Sequence, residues 1–166
     1  LAALLVLAGP AALAGSPRIS VGGEHMLLLR TDGSVLGWGR NQWNQINPTS
    51  STPVAPVAVP GLSGVVDVLA RGSGSLALQA DGTVCAWGSA GFVPTGRSDL
   101  VQVGGLRQVM KISTGYSATG YAIDRDGKAF SWGSNSNGML GYATAGGNST
   151  NSAQQIPSLS GVVAMA

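Results

Sequence analysis

Large and small side chains alternate along three stretches of this chain in the same order, and the alternation is the two-residue period of a strand. The first runs Asp32-Gly33-Ser34-Val35-Leu36-Gly37-Trp38-Gly39, the second Asp81-Gly82-Thr83-Val84-Cys85-Ala86-Trp87-Gly88, and the third Asp126-Gly127-Lys128-Ala129-Phe130-Ser131-Trp132-Gly133. Side chains on a strand point to alternate faces. One face is therefore bulky (Leu36 with Trp38, Cys85 with Trp87, Phe130 with Trp132) and the other small (Val35 with Gly37, Val84 with Ala86, Ala129 with Ser131). Neither face is charged, which predicts a strand buried on both sides. The simplest packing sets the large face of one sheet against the small face of the next.

A second strand precedes each Asp-Gly: His25 to Leu29, Ser75 to Leu78, and Gly120 to Ile123. Asp-Gly between two such runs predicts a β-hairpin, because glycine accepts the positive φ of a tight turn. Further upstream, Leu62-x-x-Val65-x-x-Val68 is echoed by Leu106-x-x-Val109-x-x-Ile112 and Leu159-x-x-Val162-x-x-Met165. Spacing of three permits a helical turn, but the valine runs and flanking Gly and Pro favour strands. Each period of about 45 to 49 residues then holds about four short strands, the content of one propeller blade. The hairpin cores are read as about 19–46, 68–91 and 112–141, with a further blade beginning about 162.

Composition agrees with an all-β chain. The 26 glycines among 166 residues suit tight corners and penalise long helices. Charged residues make up only 10% and the net charge is +2, with Arg and Lys scattered singly, so no phosphate-binding stripe is expected and no nucleic acid partner. Leu1 to Leu13 is nearly all apolar and Ala12-Leu13-Ala14 has the form of a cleavage site, so 1–14 reads as part of a secretory signal peptide. The alternative is a buried apolar strand or helix. With the signal removed, residues 15–166 form the repeat domain, secreted or periplasmic, with no membrane span; the Ala-rich leader points to a bacterium. The chain reads as a fragment, an open arc of three blades plus the start of a fourth, whose edge strands invite self-association.

Tryptophan is followed here by glycine and never by aspartate, which argues against WD40, and Gly22-Gly23 has no later copy, which argues against kelch. The sequence resembles the repeats of the regulator of chromosome condensation family, whose pattern is Gly-x-x-His-Ser-Leu-Ala-Leu, Asp-Gly, Trp-Gly-x-Asn and Gly-Gln-Leu-Gly. His25 stands at that histidine, with Gly74 and Thr119 in its place later; Leu76-Ala77-Leu78 keeps the Leu-Ala-Leu. Asn135 and Gly138-Met139-Leu140-Gly141 match the last segments, and the first copy keeps Asn41 and Gln45-Ile46 with Asn44 and Asn47 at the glycine places. The second copy lacks the segment, and the third has two extra residues after Gly115, read as a bulge or a longer strand. The resemblance covers roughly Ile19 to Ala166 and implies a seven-bladed propeller. Family members include secreted inhibitors of β-lactamases and, in the founding member, a nucleotide-exchange regulator of a small GTPase.

Catalytic chemistry is sparse. The lone His25 and lone Cys85 sit at repeat positions and read as structural; Asp32, Asp81 and Asp126 read as turn residues. Asp124-x-Asp126 lacks the rest of a calcium loop, and Asn148-Ser149-Thr150 is an N-glycosylation pattern in a polar loop. No enzyme activity, metal or cofactor is expected; a propeller lyase would want clustered acids, Arg or His. The repeat set itself (Asp32, Gly33, Trp38, Gly39; Asp81, Gly82, Trp87, Gly88; Asp126, Gly127, Trp132, Gly133) reads as scaffold. The candidate binding residues are loop aromatics without an obvious core register: Trp43, Phe92, Tyr116 and Tyr142. They suit either a protein or glycan partner, or the protein's own core.

Overall fold

The computed structural model describes residues 16–48, 52–94, 99–115, 118–144 and 149–165; the apolar leader, Tyr116 and Asn148 lie outside them. The described residues form twelve strands: β1 (Arg18–Val21), β2 (His25–Leu29), β3 (Val35–Gly39), β4 (Val57–Ala58), β5 (Val65–Arg71), β6 (Gly74–Gln79), β7 (Val84–Gly88), β8 (Val101–Gln102), β9 (Val109–Thr114), β10 (Thr119–Asp124), β11 (Ala129–Ser134) and β12 (Ser149–Gln155). They build three four-stranded antiparallel sheets in chain order, β1 to β4, β5 to β8 and β9 to β12. The Asp-Gly hairpins sit where the alternation places them, with Gly33, Gly82 and Gly127 at φ of 78°, 85° and 72°.

Packing between the sheets follows the two faces. The small face of the first sheet (Leu27, Leu29, Val35) joins one core with Val68, Ala70, Ala77 and Trp87 from the second. The small face of the second (Leu76, Leu78, Val84, Ala86) joins another with Ile112, Ala122 and Trp132 from the third, with Phe130 packed against it. Large therefore meets small twice. Polar groups also cross the first interface: Arg18 bonds Asp67 at 2.6 Å, and the Ala70 amide donates to Ser20 Oγ at 2.9 Å.

Burial on both sides holds for β7, which is buried throughout, but not for β3. The bulky face of the first sheet carries Ile19 and Val21, 60% and 61% exposed, with Met26, Leu28, Leu36 and Trp38 only half-buried. No neighbouring sheet among the described residues covers it, which is why Trp38 differs from its two counterparts.

The Leu-x-x-Val elements begin the innermost strands. The Val65 amide donates to the Gly33 carbonyl and the Val109 amide to that of Gly82. The Val162 amide donates to the Gly127 carbonyl at 2.9 Å in the same way, although residues 162–165 form no strand. The two extra residues of the third copy fall at 116–117, outside the described residues. Within the described sheets, register shifts occur at Ile123/Asp124, between Val65 and Asp67, and between Ser131 and Gly133.

Candidate functional site

Each repeat residue has a structural task. Asp32 Oδ1 accepts from the Ser34 amide (3.0 Å) and hydroxyl (2.6 Å), which hold its carboxyl below the usual range. Asp81 accepts from the Thr83 amide at 2.8 Å and is lowered likewise. The third turn departs from this. There Asp124, not Asp126, accepts the turn amides, those of Asp126 and Lys128, both at 2.9 Å, while Asp126 faces the Lys128 ammonium at 3.4 Å.

The glycine after each tryptophan is required by both conformation and space. Gly39, Gly88 and Gly133 have φ of 98°, 91° and 96°, and a Cβ on any of them would lie 2.6, 2.4 or 2.6 Å from a backbone oxygen. This sharp bend launches the loop that follows. Asparagine then fastens the loop. Asn41 Oδ1 accepts from the Ile46 amide at 2.8 Å while its Nδ2 donates to the Asn47 carbonyl; Asn135 does the same to Leu140 and Tyr142. Asn44 takes φ 55° where the third copy has Gly138 at 70°, so asparagine serves for glycine there; Asn47 needs no positive φ.

His25 is 2% exposed and links the first two blades. Its Nε2 lies 3.0 Å from Ser75 Oγ, which donates to the Gln45 carbonyl at 2.8 Å. Burial pulls its pKa down to about 4, against a smaller opposing effect of the Gly72 backbone. A histidine neutral in the fold and protonated more readily when unfolded contributes stability that is complete above about pH 6.5 and is lost as pH falls towards 4. At most this is about 3 kcal/mol. His25→Gln is expected to flatten the difference in urea midpoint between pH 7 and pH 4.5. An unchanged pH dependence would exclude His25 as its source.

Where Gly74 replaces this histidine, the freed volume is filled. A Cβ on Gly74 would meet the Phe92 ring at 2.8 Å, and Phe92 is fully buried. Its carbonyl accepts from Trp132 Nε1 at 2.8 Å. Phe92 thus lies in the core, one of the two places the sequence allowed it. Tyr142 is half-buried and its hydroxyl donates to the Ser131 carbonyl at 2.8 Å, so it too serves the third blade. Tyr116 lies outside the described residues. Of the four loop aromatics, Trp43 alone is described as exposed, at 49%, beside the exposed Gln42. Cys85 is buried, and burial, followed by the Asp81 charge, raises its pKa.

The two ends of the arc differ in charge. The Asp-Gly end carries Arg30, Asp32, Asp81, Arg107, Asp124, Arg125, Asp126 and Lys128, whereas the described charges of the loop end are Glu24 paired with Arg40, Arg71 and Asp99. Sequence reading missed the main concavity of the loop end. It is a cleft of about 540 Å³ where the β1–β2 and β5–β6 connections, the loop after β7 and Ala118 meet. Among the described residues no three His, Cys, Asp or Glu side chains group as a metal site would need, and no helix is long and apolar enough to cross a membrane.

Three successive four-stranded sheets, stacked face to face around adjoining inner strands, are blades of a β-propeller. Solved propellers agree: human WBSCR16 superposes with a TM-score of 0.72 at 24% identity, over 84% of this chain and 39% of that one. Prp20p of Saccharomyces cerevisiae, described with its binding to Gsp1p and histones, gives 0.68 at 20%, over 84% and 37%. The regulator of chromosome condensation (RCC1) repeat matches residues 18–45. Human HERC6, a probable E3 ubiquitin-protein ligase, is 35% identical over 141 residues, 76% of this chain and 14% of HERC6. The RCC1-like G exchanging factor-like protein of mouse is 30% identical over 142 residues, 75% of this chain and 31% of that protein. The chain belongs to the RCC1 repeat family, and it spans less than a third of either curated relative.

Proposed function

We propose that this chain is a non-catalytic RCC1-type propeller module that binds a protein through its loop end, and that it acts outside the cytoplasm. The carrying observation is a division of labour. The repeat residues are taken up by turns, bends and interblade contacts, whereas Gln42 and Trp43 project from a fastened loop into solvent. An exposed tryptophan on a rigid base supplies large contact area at small conformational cost. The apolar leader followed by Ala12-Leu13-Ala14 supports export, with a mature chain beginning near Gly15 or Ser16. A second reading, regulation of nucleotide exchange on a small GTPase, is favoured by the likeness to a G exchanging factor-like protein and to Prp20p, which is described with Gsp1p.

A photo-crosslinking residue at position 42 is expected to capture a protein in the native extracellular fraction, and one at position 30, on the opposite end, is not. Trp43→Ala is expected to weaken that complex at least about tenfold, as for an interface anchor. Equal capture from both ends would reject the loop end as the binding surface. Accelerated nucleotide release from a purified small GTPase would favour the second reading, and an uncleaved N-terminus on an intracellular protein would reject export.

A further inference from the structure

A chain of hydrogen bonds runs from a buried titratable group to the exposed loop after β3. The Ser75 hydroxyl on β6 donates to the Gln45 carbonyl at 2.8 Å, so Ser75 Oγ accepts from His25 Nε2, 3.0 Å away on β2 of the first blade. Gln45 is 1% exposed, and its Oε1 accepts from the Trp43 amide at 2.9 Å. The loop that carries Gln42 and Trp43 is thus tied to the second blade through Ser75, and Ser75 is oriented by the imidazole.

With its proton on Nε2, His25 can take up another only at Nδ1, which is buried without a hydrogen-bond partner among the described residues. The ring is closely packed there: a Cβ on Gly22 would fall 2.8 Å from Nδ1. An imidazolium in this place is a charge held away from water. Of the elements around the ring, the β1–β2 connection carries Glu24, which is paired with Arg40 of the loop after β3. β5 ends in the exposed Arg71, and β3 and β6 bring Gly39 and Ser75. The lowering of the histidine pKa comes from burial, and none of these charges contributes to it. Asp67 crosses the same interface, paired with Arg18, but beside the hairpin ends of the strands. The second interface has no such relay. Gly74 and Thr119 stand at the histidine's places and Gly120 at that of Ser75, and Trp132 Nε1 donates directly to the Phe92 carbonyl at 2.8 Å.

We propose that His25 is an acid-sensitive latch, whose protonation opens the first interblade contact at the loop end and frees the loop bearing Gln42 and Trp43. Its consequence for binding rests on the reading of that loop as a protein-binding surface. A partner that needs the loop held loses affinity in proportion to the opened fraction, because the rigid base of the anchor is gone.

The test follows hydrogen exchange in the isotope-labelled chain without a partner, with rates expressed as protection so that the intrinsic effect of pH is removed. The histidine titrates at its ordinary 6.5 when opened and at about 4 when closed, so opening becomes about fiftyfold more favourable between pH 7 and pH 4.5. The Trp43 amide is expected to lose protection by that factor. It is also expected to be less protected than the Trp132 indole at both pH values, because the second interface stays packed. His25→Gln, a neutral donor that does not titrate, is expected to hold Trp43 protection nearly flat with pH, which separates the latch from Asp67. Ser75→Ala is expected to lower that protection at least about fivefold at pH 7, through the orphaned Gln45 carbonyl. Trp43 protection unchanged by acid in the wild type would mean that the loop opens without the histidine. Protection equal to that of Trp132 at both pH values would mean that it has no opening of its own. Either result overturns the proposal, as does a full acid response in His25→Gln. If protection behaves as expected and a crosslinker at position 42 captures nothing at either pH, the protein-binding reading fails and the latch stands.

Discussion

Trp132→Ala is expected to lower unfolding free energy by about 3–5 kcal/mol, at the upper end of that range for a buried aromatic ring. Trp132 is fully buried at the second interblade core, its ring lying so close over Gly120 that a Cβ there would fall 2.4 Å from it. Truncation removes the ring and also leaves the carbonyl of the buried Phe92 without its 2.8 Å donor. An orphaned buried carbonyl adds about 1–3 kcal/mol to a cavity. Set against a typical total of about 5–15 kcal/mol, the loss is severe. The same substitution at Trp38 is expected to cost much less, because that ring is half-buried on the uncovered face. Trp87→Ala should fall between, since Trp87 is 2% exposed but its Nε1 has no partner to orphan. Urea unfolding followed by circular dichroism orders the three; equal losses at Trp38 and Trp132 would contradict the packing described.

The contrast between Trp87 and Trp132 shows what the sequence could and could not tell. The period, the hairpins and the large-to-small stacking were legible, because alternation over five residues fixes which side chains share a face. The tryptophan environments were not. Ser75 pairs with Trp87 where Gly120 pairs with Trp132, and that one difference redirects the hydrogen bonds. In one interface a serine hydroxyl takes the loop carbonyl, and in the other the indole does so directly.

Which of its two readings, core or partner contact, applies to Phe92 was illegible for a related reason. It follows a Trp-Gly in a copy that has lost the usual loop segment, so its register could not be read from its neighbours. Its burial depends on Gly74, a position distant in sequence whose missing side chain makes the room. Aligning the copies at His25, Gly74 and Thr119 held the needed signal, in the form of a large residue exchanged for none. The exchange between Asp124 and Asp126 had no such signal: both aspartates precede Gly127, and backbone geometry alone decides which carboxylate receives the turn amides. The cleft was also illegible, since it is made by glycines from separate connections whose meeting is a property of blade stacking.

The second large effect concerns a residue that the repeat pattern presents only as punctuation. Gly88→Ala is expected to cost about 3–5 kcal/mol, combining a backbone forced to positive φ with an overpacked site. Gly88 has φ 91°, and the added Cβ would lie 2.4 Å from the Ser73 carbonyl oxygen and 3.1 Å from both Gly74 Cα and Gln45 Cβ. Two of those three atoms are main chain of the paired connection, so relief requires β6 and β7 to part. Gly138 provides the control. It has φ 70° but nothing within 4 Å of a Cβ, so Gly138→Ala should cost only the conformational term, about 1–2 kcal/mol. Gly138→Asn should cost less still, because Asn44 already occupies the matching place in the first blade at φ 55°. Urea midpoints for the three variants separate strain from crowding. If Gly88→Ala were no worse than Gly138→Ala, the bend after tryptophan would owe its glycine to backbone freedom alone, and the close approach of the β5–β6 connection would carry none of the cost.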